Sequence, residues 1–254
     1  MLHEQTLIRL RELRLDGMAS ALEEQQGVPD VQELSFDDRL GLLIEREATV
    51  REDRRLTRLL RQARLRLPAS IEDLDLRSPR GLDRSYILRL TGSDWVRHHE
   101  VVLITGATGT GKTFLACALA QAACRHGLSS RYFRLPRLLE ELALARADGS
   151  YPKFLDRLQK TRLVVIDDFG LAPLGESGRR DLLEVLEDRV GRQATLVTSQ
   201  LPLEHWHEAV GDSTLADAIL DRIVHHAHRI QLKGGSMRKN KPKPPVSDTA
   251  TAEA

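Results

Sequence analysis

The sequence predicts an α/β protein, a three-layer α/β/α sandwich on a central parallel sheet, with a small helical region ahead of it. Two observations carry this reading. First, short apolar runs at 101–105, 130–134, 163–166 and 194–198 alternate with amphipathic helical patterns. Continuous apolar strands separated by helices belong in a parallel sheet covered on both faces. Second, residues 106–113 read Gly106-Ala107-Thr108-Gly109-Thr110-Gly111-Lys112-Thr113, a complete G-x-x-x-x-G-K-[ST] pattern. It lies between the first apolar run and a helical run that starts at Phe114. That strand–loop–helix setting is what makes the pattern a phosphate cradle.

Composition sets the outer bounds. The chain has 254 residues and is 41% hydrophobic, enough for a sizeable core. Its net charge is +1 with 30% charged residues, so any nucleic-acid contact must come from local patches. No apolar run reaches the roughly eighteen residues of a membrane helix. The start, Met1-Leu2-His3-Glu4-Gln5, lacks the pattern of a secretory signal. Cys117 and Cys124 lie on one predicted helix. Seven helical residues rise about 10.5 Å, too far for a mutual disulfide, so both read as small buried apolar residues. A cytoplasmic location is expected.

The elements follow in order. Residues 1–66 are expected to form a helical domain. Leu2, Leu7, Leu10, Leu13 and Leu15 mark a first amphipathic helix, and Leu40, Leu43, Ile44, Val50, Leu56, Leu59 and Leu60 mark one or two more. Gly27-Val28-Pro29-Asp30 is a break between them. Within 51–66, Arg51, Arg54, Arg55, Arg58, Arg61, Arg64 and Arg66 stand against Glu52 and Asp53. Arg51, Arg54 or Arg55, Arg58 and Arg61 or Gln62 follow helical spacing and form a stripe on one face. Arg51, Arg54, Arg55, Arg58 and Arg61 are the candidate contacts to nucleic-acid phosphates; the other reading is a solvated face paired with acidic neighbours. Residues 67–100 read as linker and lead-in, with turn signals at Pro68, Ser78-Pro79-Arg80-Gly81 and Gly92-Ser93-Asp94. Residues 101–233 form the nucleotide-binding unit. Residues 234–254, basic at the start (Lys233, Arg238, Lys239, Lys241, Lys243), are expected to be a disordered tail.

Candidate site residues cluster at strand ends. Backbone N–H groups of Gly106 to Phe114, with the positive end of the following helix, should cradle phosphates. Lys112 should reach the β- and γ-phosphates and the Thr113 hydroxyl should hold Mg²⁺. The run at 163–166 ends in Asp167-Asp168. Asp167 is the expected metal-side carboxylate, and Asp168 the group that orients an attacking water. A glutamate is one methylene longer, so hydrolysis is expected to be slow or conditional. The fourth run ends in Thr198-Ser199-Gln200, and either Ser199 or Gln200 is placed to sense a γ-phosphate. Arg222, near the end of a helical pattern over 215–223, is either a phosphate-contacting arginine or the partner of Asp217 or Asp221.

The order G-A-T-G-T-G-K-T, L-V-V-I-D-D-F-G, L-V-T-S-Q-L-P and A-I-L-D-R-I resembles the AAA+ ATPases of the initiator and helicase-loader clade, and most closely the IstB-like proteins. The L-K-G-G-S-M-R-K ending and the leucines around Gly17-Met18 are similar too, so the likeness spans nearly the whole chain. The resemblance implies ATP as cofactor with Mg²⁺, bound between adjacent subunits. It implies a ring-like or helical oligomer on duplex DNA that deforms the DNA and stimulates a partner transposase. It makes Asp167 and Asp168 the metal and water-orienting pair, and Arg222 a finger acting in trans. No helical lid follows residue 232, so nucleotide should be held loosely until a neighbour closes over it. A DnaC-like helicase loader is the alternative in the same clade, and a metabolic P-loop kinase the alternative outside it.

Overall fold

The structure is a computed structural model and describes residues 2–28, 31, 33–225 and 227–237. Of the expected disordered tail 234–254, residues 234–237 are instead held on the phosphate loop by the Met237 N–H, while those beyond 237, and Pro29 and Asp30 of the expected break, lie outside the described residues. The chain divides into two compact units, Met1–Arg61 and Gln62–Ala254.

The first unit contains α1 (Leu2–Glu12), α2 (Asp16–Gln26) and most of α3 (Phe36–Ala63). The leucine pattern left open one helix or two after the break; α3 is a single 28-residue helix. It contains no proline and a single glycine, Gly41, and one glycine costs only about 1 kcal/mol. α2 and α3 meet at Gly17, where an added Cβ would come within 2.7 Å of the Glu47 backbone. Buried Glu47 accepts the Gly17 N–H at 2.8 Å and the Met18 N–H at 3.2 Å. Burial alone would raise its carboxyl, but Arg51 and these N–H groups hold it below the usual range.

The second unit is built on five parallel strands: β1 (Val101–Gly106), β2 (Ser130–Arg134), β3 (Leu163–Phe169), β4 (Ala194–Ser199) and β5 (His228–Leu232), in the order β2-β3-β4-β1-β5. Helices α4 (Arg84–Thr91), α5 (Asp94–Arg97) and α6 (Lys112–Arg125) cover one face. The other face carries α7 (Leu135–Ala147), α8 (Tyr151–Lys160), α9 (Glu176–Arg189), α10 (Trp206–Val210) and α11 (Ser213–Val224). This is the expected three-layer fold. The apolar runs anticipated four of the strands. β5 escaped them because it is an edge strand, with only Ile230 and Leu232 buried among polar neighbours. Cys117 and Cys124 are free and buried, and burial pushes both thiols up.

Register brings the site together. Thr105 of β1 pairs with Ser199 of β4, and Arg134 of β2 with Asp167 of β3. The register between β3 and β4 shifts between Ile166 and Phe169, so a bulge falls on the two aspartates. Parallel strands present their ligand crevice at their carboxyl ends. Among the described residues, no helix is long and apolar enough to cross a membrane.

Candidate active site

The loop between β1 and α6 curls at the carboxyl end of β1. α6 begins at Lys112, so its first free N–H groups and positive dipole end face the loop's interior. The Lys112 ammonium lies back on the loop, 2.7 Å from the Gly106 carbonyl and 2.9 Å from that of Ala107. The Thr110 hydroxyl closes a turn onto Ala107 at 2.8 Å.

Asp167 is fully buried at the end of β3. Its carboxylate accepts the Thr113 hydroxyl at 2.9 Å, the Tyr132 phenol at 2.5 Å, and the Thr198 hydroxyl on the other oxygen. Burial, and then the Asp167 bond, push the Tyr132 phenol well above its ordinary value. Asp168 occupies the bulge with a φ of +65°, a left-handed conformation uncommon outside glycine. This turns its carboxylate toward Arg134 at the end of β2, whose Nε lies 2.8 Å away. Arg66 approaches Asp168 at 3.7 Å and Asp167 at 3.8 Å. Its hydrogen bond with Tyr132 is the main reason its guanidinium is held further above its ordinary value.

These groups line a cavity of about 720 Å³, within the usual range for a ligand pocket. Its walls include Thr108, Gly109, Gly111, Lys112, Thr113 and Phe114, facing Arg66, Arg134, Asp168 and Gln200. Leu67, Asp73, Asp75, Arg80, Leu171 and Met237 complete it.

Of the two sensor candidates, Gln200 lines the cavity and accepts the Thr108 hydroxyl at 2.6 Å. Ser199 is buried and spends its hydroxyl on backbone, donating to Phe169 at 2.7 Å and accepting from Leu201 at 3.0 Å. Arg222 does not line the cavity. It pairs with Glu187 at 3.1 Å and Asp221 at 3.2 Å. It precedes β5, whose His228 pairs with Val102 near the start of β1, so it lies toward the end of the sheet opposite the phosphate loop.

The arginine run is divided. α3 ends at Ala63, and Arg64 takes a φ of +47°. Arg66 therefore leaves the run and joins the two aspartates. On α3 itself, Arg51, Arg54, Arg55, Arg58 and Arg61 are exposed. Arg51 pairs with Glu47 at 2.6 Å and Arg54 with Asp16 at 2.8 Å.

Sequence reasoning missed Arg66, Arg80, Tyr132, Arg134 and Thr198. Arg134 carried a signal, since it closes a predicted strand of a parallel sheet. Thr198 carried the same signal at the end of the fourth run, while Tyr132 carried none, because its proximity to Asp167 depends on strand order.

A phosphate loop joined to a buried strand-end aspartate, on a parallel sheet of this order, defines a P-loop nucleotide-binding protein with the AAA+ core. The IstB-like ATP binding protein family matches residues 8–244, and the chain belongs to that family. A Sinorhizobium fredii protein named as an insertion sequence ATP-binding protein is 50% identical over 240 residues, covering 94% of this chain and 98% of its own. A Pseudomonas fluorescens protein named as an ATP-binding protein of insertion sequence IS1162 is 51% identical over 203 residues, covering 80% and 88%. The crystal structure of the DnaC helicase loader aligns with a TM-score of 0.56 at 19% identity, covering 65% of this chain and 97% of its own. That last likeness is one of fold.

Proposed function

We propose that this protein is the ATP-driven helper of an insertion element's transposase. It binds ATP with Mg²⁺, associates with copies of itself on duplex DNA, and hydrolysis ends that engagement. Insertion sequence and ATP binding stand in the names of its relatives. The observation that carries the reading in this chain is the Thr113 hydroxyl 2.9 Å from Asp167, across 54 residues of sequence.

The donor set fits Mg²⁺, because a hydroxyl and a carboxylate are hard oxygen ligands. Among the described residues no cluster of three or more His, Cys, Asp or Glu could hold a metal ion. Phosphate oxygens and water would supply the remaining ligands, as is usual for Mg²⁺. Held by Thr113 and Asp167, Mg²⁺ would supply neutralisation of the charge that develops on the β- and γ-phosphates.

The chain's own residues do the rest. Lys112 exchanges its two loop carbonyls for phosphate oxygens. Tyr132 and Thr198 hold Asp167 in one orientation. Asp168 orients the water that attacks the γ-phosphorus as the bond to the β–γ bridging oxygen breaks, giving ADP and phosphate. Arg134 engages one oxygen of Asp168 and lowers the basicity of the carboxylate, so turnover is held back until the pair separates. Arg222 sits too far from its own loop to serve it and acts on the nucleotide of a neighbouring copy.

Strand transfer by the transposase of the same element tests the reading. Wild type should stimulate it only with ATP, and Lys112→Ala should abolish the stimulation. Equal stimulation by Lys112→Ala would refute the proposal.

A further inference from the structure

β5 ends at Leu232, and the next residues run back across the phosphate loop. The Lys233 N–H donates to the Arg80 carbonyl at 2.8 Å, and the Met237 N–H donates to the Gly109 carbonyl at 2.9 Å. From the other side, Arg80 donates to the Thr110 carbonyl at 3.1 Å and is anchored on the Asp75 carbonyl. The apex of the loop is thus held between a buried arginine of the lead-in and the main chain of 233–237, and these two are bonded to each other.

Gly109 makes this approach possible. A Cβ there would lie 2.3 Å from the Ser236 hydroxyl, and the residue has a φ of +86°. A side chain would displace the segment and strain the loop. Met237, at the end of the crossing, lines the cavity with Gly109 and Phe114. Asp168 and Arg134 attend the phosphate chemistry, so an apolar, polarisable thioether in the same cavity as Phe114 suits a different part of the ligand. Thioethers pack well on aromatic rings, and the aromatic part of a nucleotide is its base.

We propose that 233–237 is a built-in strap that does part of a lid's work. Its main chain fixes the phosphate loop through Gly109, and the Met237 side chain forms a wall against the nucleotide base. This rests on the cavity being the ATP site. The wall is apolar and reads no hydrogen-bonding edge, so Met237 contributes affinity for a purine without choosing between purines.

Titration calorimetry on the full chain tests this, with Mg·ATP and Mg·tripolyphosphate as ligands. Met237→Ala keeps the N–H and removes the wall. It should weaken ATP roughly five- to tenfold and leave tripolyphosphate within about twofold, while Met237→Leu restores ATP binding. Met237→Pro removes the N–H and should weaken both ligands. Unchanged ATP affinity in Met237→Ala, an equal loss of both ligands in that variant, or undiminished binding in Met237→Pro would each overturn the strap. Failure of wild type to bind ATP would instead overturn the assignment of the site.

Discussion

Two aspartates adjacent in sequence have opposite surroundings. Asp167 is buried and held by three hydroxyls, while Asp168 sits on a bulge in an ion pair. Their division of labour follows. Asp168→Ala should lower single-turnover ATP hydrolysis by about 100-fold, the scale typical of a lost general base, while ATP affinity changes less than threefold. Arg134→Ala removes the nearer of the two guanidiniums at Asp168 and should raise basal hydrolysis several-fold; a fall would show that Arg134 serves the phosphate instead. Tyr132 gives a pH-dependent readout. Its phenol titrates higher in the folded chain than in the unfolded one. Its contribution to stability is therefore full below about pH 10 and lost as pH rises beyond it. Tyr132→Phe should flatten that alkaline loss in urea unfolding, and an unchanged slope would dissociate the phenol from stability. The aspartates were legible in the sequence because an apolar run ends on them. Their partners were not, because Tyr132, Arg134 and Thr198 reach them only through the register of neighbouring strands.

At the scale of elements, α3 and the α9–β4 junction are the informative cases. The basic run on α3 is less free than its composition suggests, since Glu47 and Asp16 already engage Arg51 and Arg54. If the stripe meets DNA, Arg58→Glu with Arg61→Glu should weaken duplex binding and reduce its salt dependence. An unchanged salt slope would exclude both residues as phosphate contacts. Arg189, at the end of α9, is almost fully buried. It donates to the carbonyls of Leu158, Thr161 and Ala194 and to the Thr195 hydroxyl. Arg189→Met would strand these acceptors and should cost about 3 kcal/mol in urea unfolding. Apolar strands and a glycine-rich loop are local signals and were read directly. β5 and the segment that follows it were not, because half-polar edge strands and returning loops take their place from contacts far away in sequence.

At the scale of the molecule, Arg222 shapes the account most. It lies away from the phosphate loop of its own chain, beside Glu187 and Asp221. On the proposed function, this permanently charged group completes the nucleotide site of a second copy. That proposal makes ATP an assembly signal as well as a fuel, with DNA as the surface on which copies gather. The direct test is light scattering of the full chain with duplex DNA, with and without ATP, for wild type and Arg222→Ala. Wild type should form a large DNA-bound assembly only when ATP is present, and Arg222→Ala should form none. A wild type that stays monomeric under every condition, or an Arg222→Ala protein that assembles equally well, would contradict the proposal.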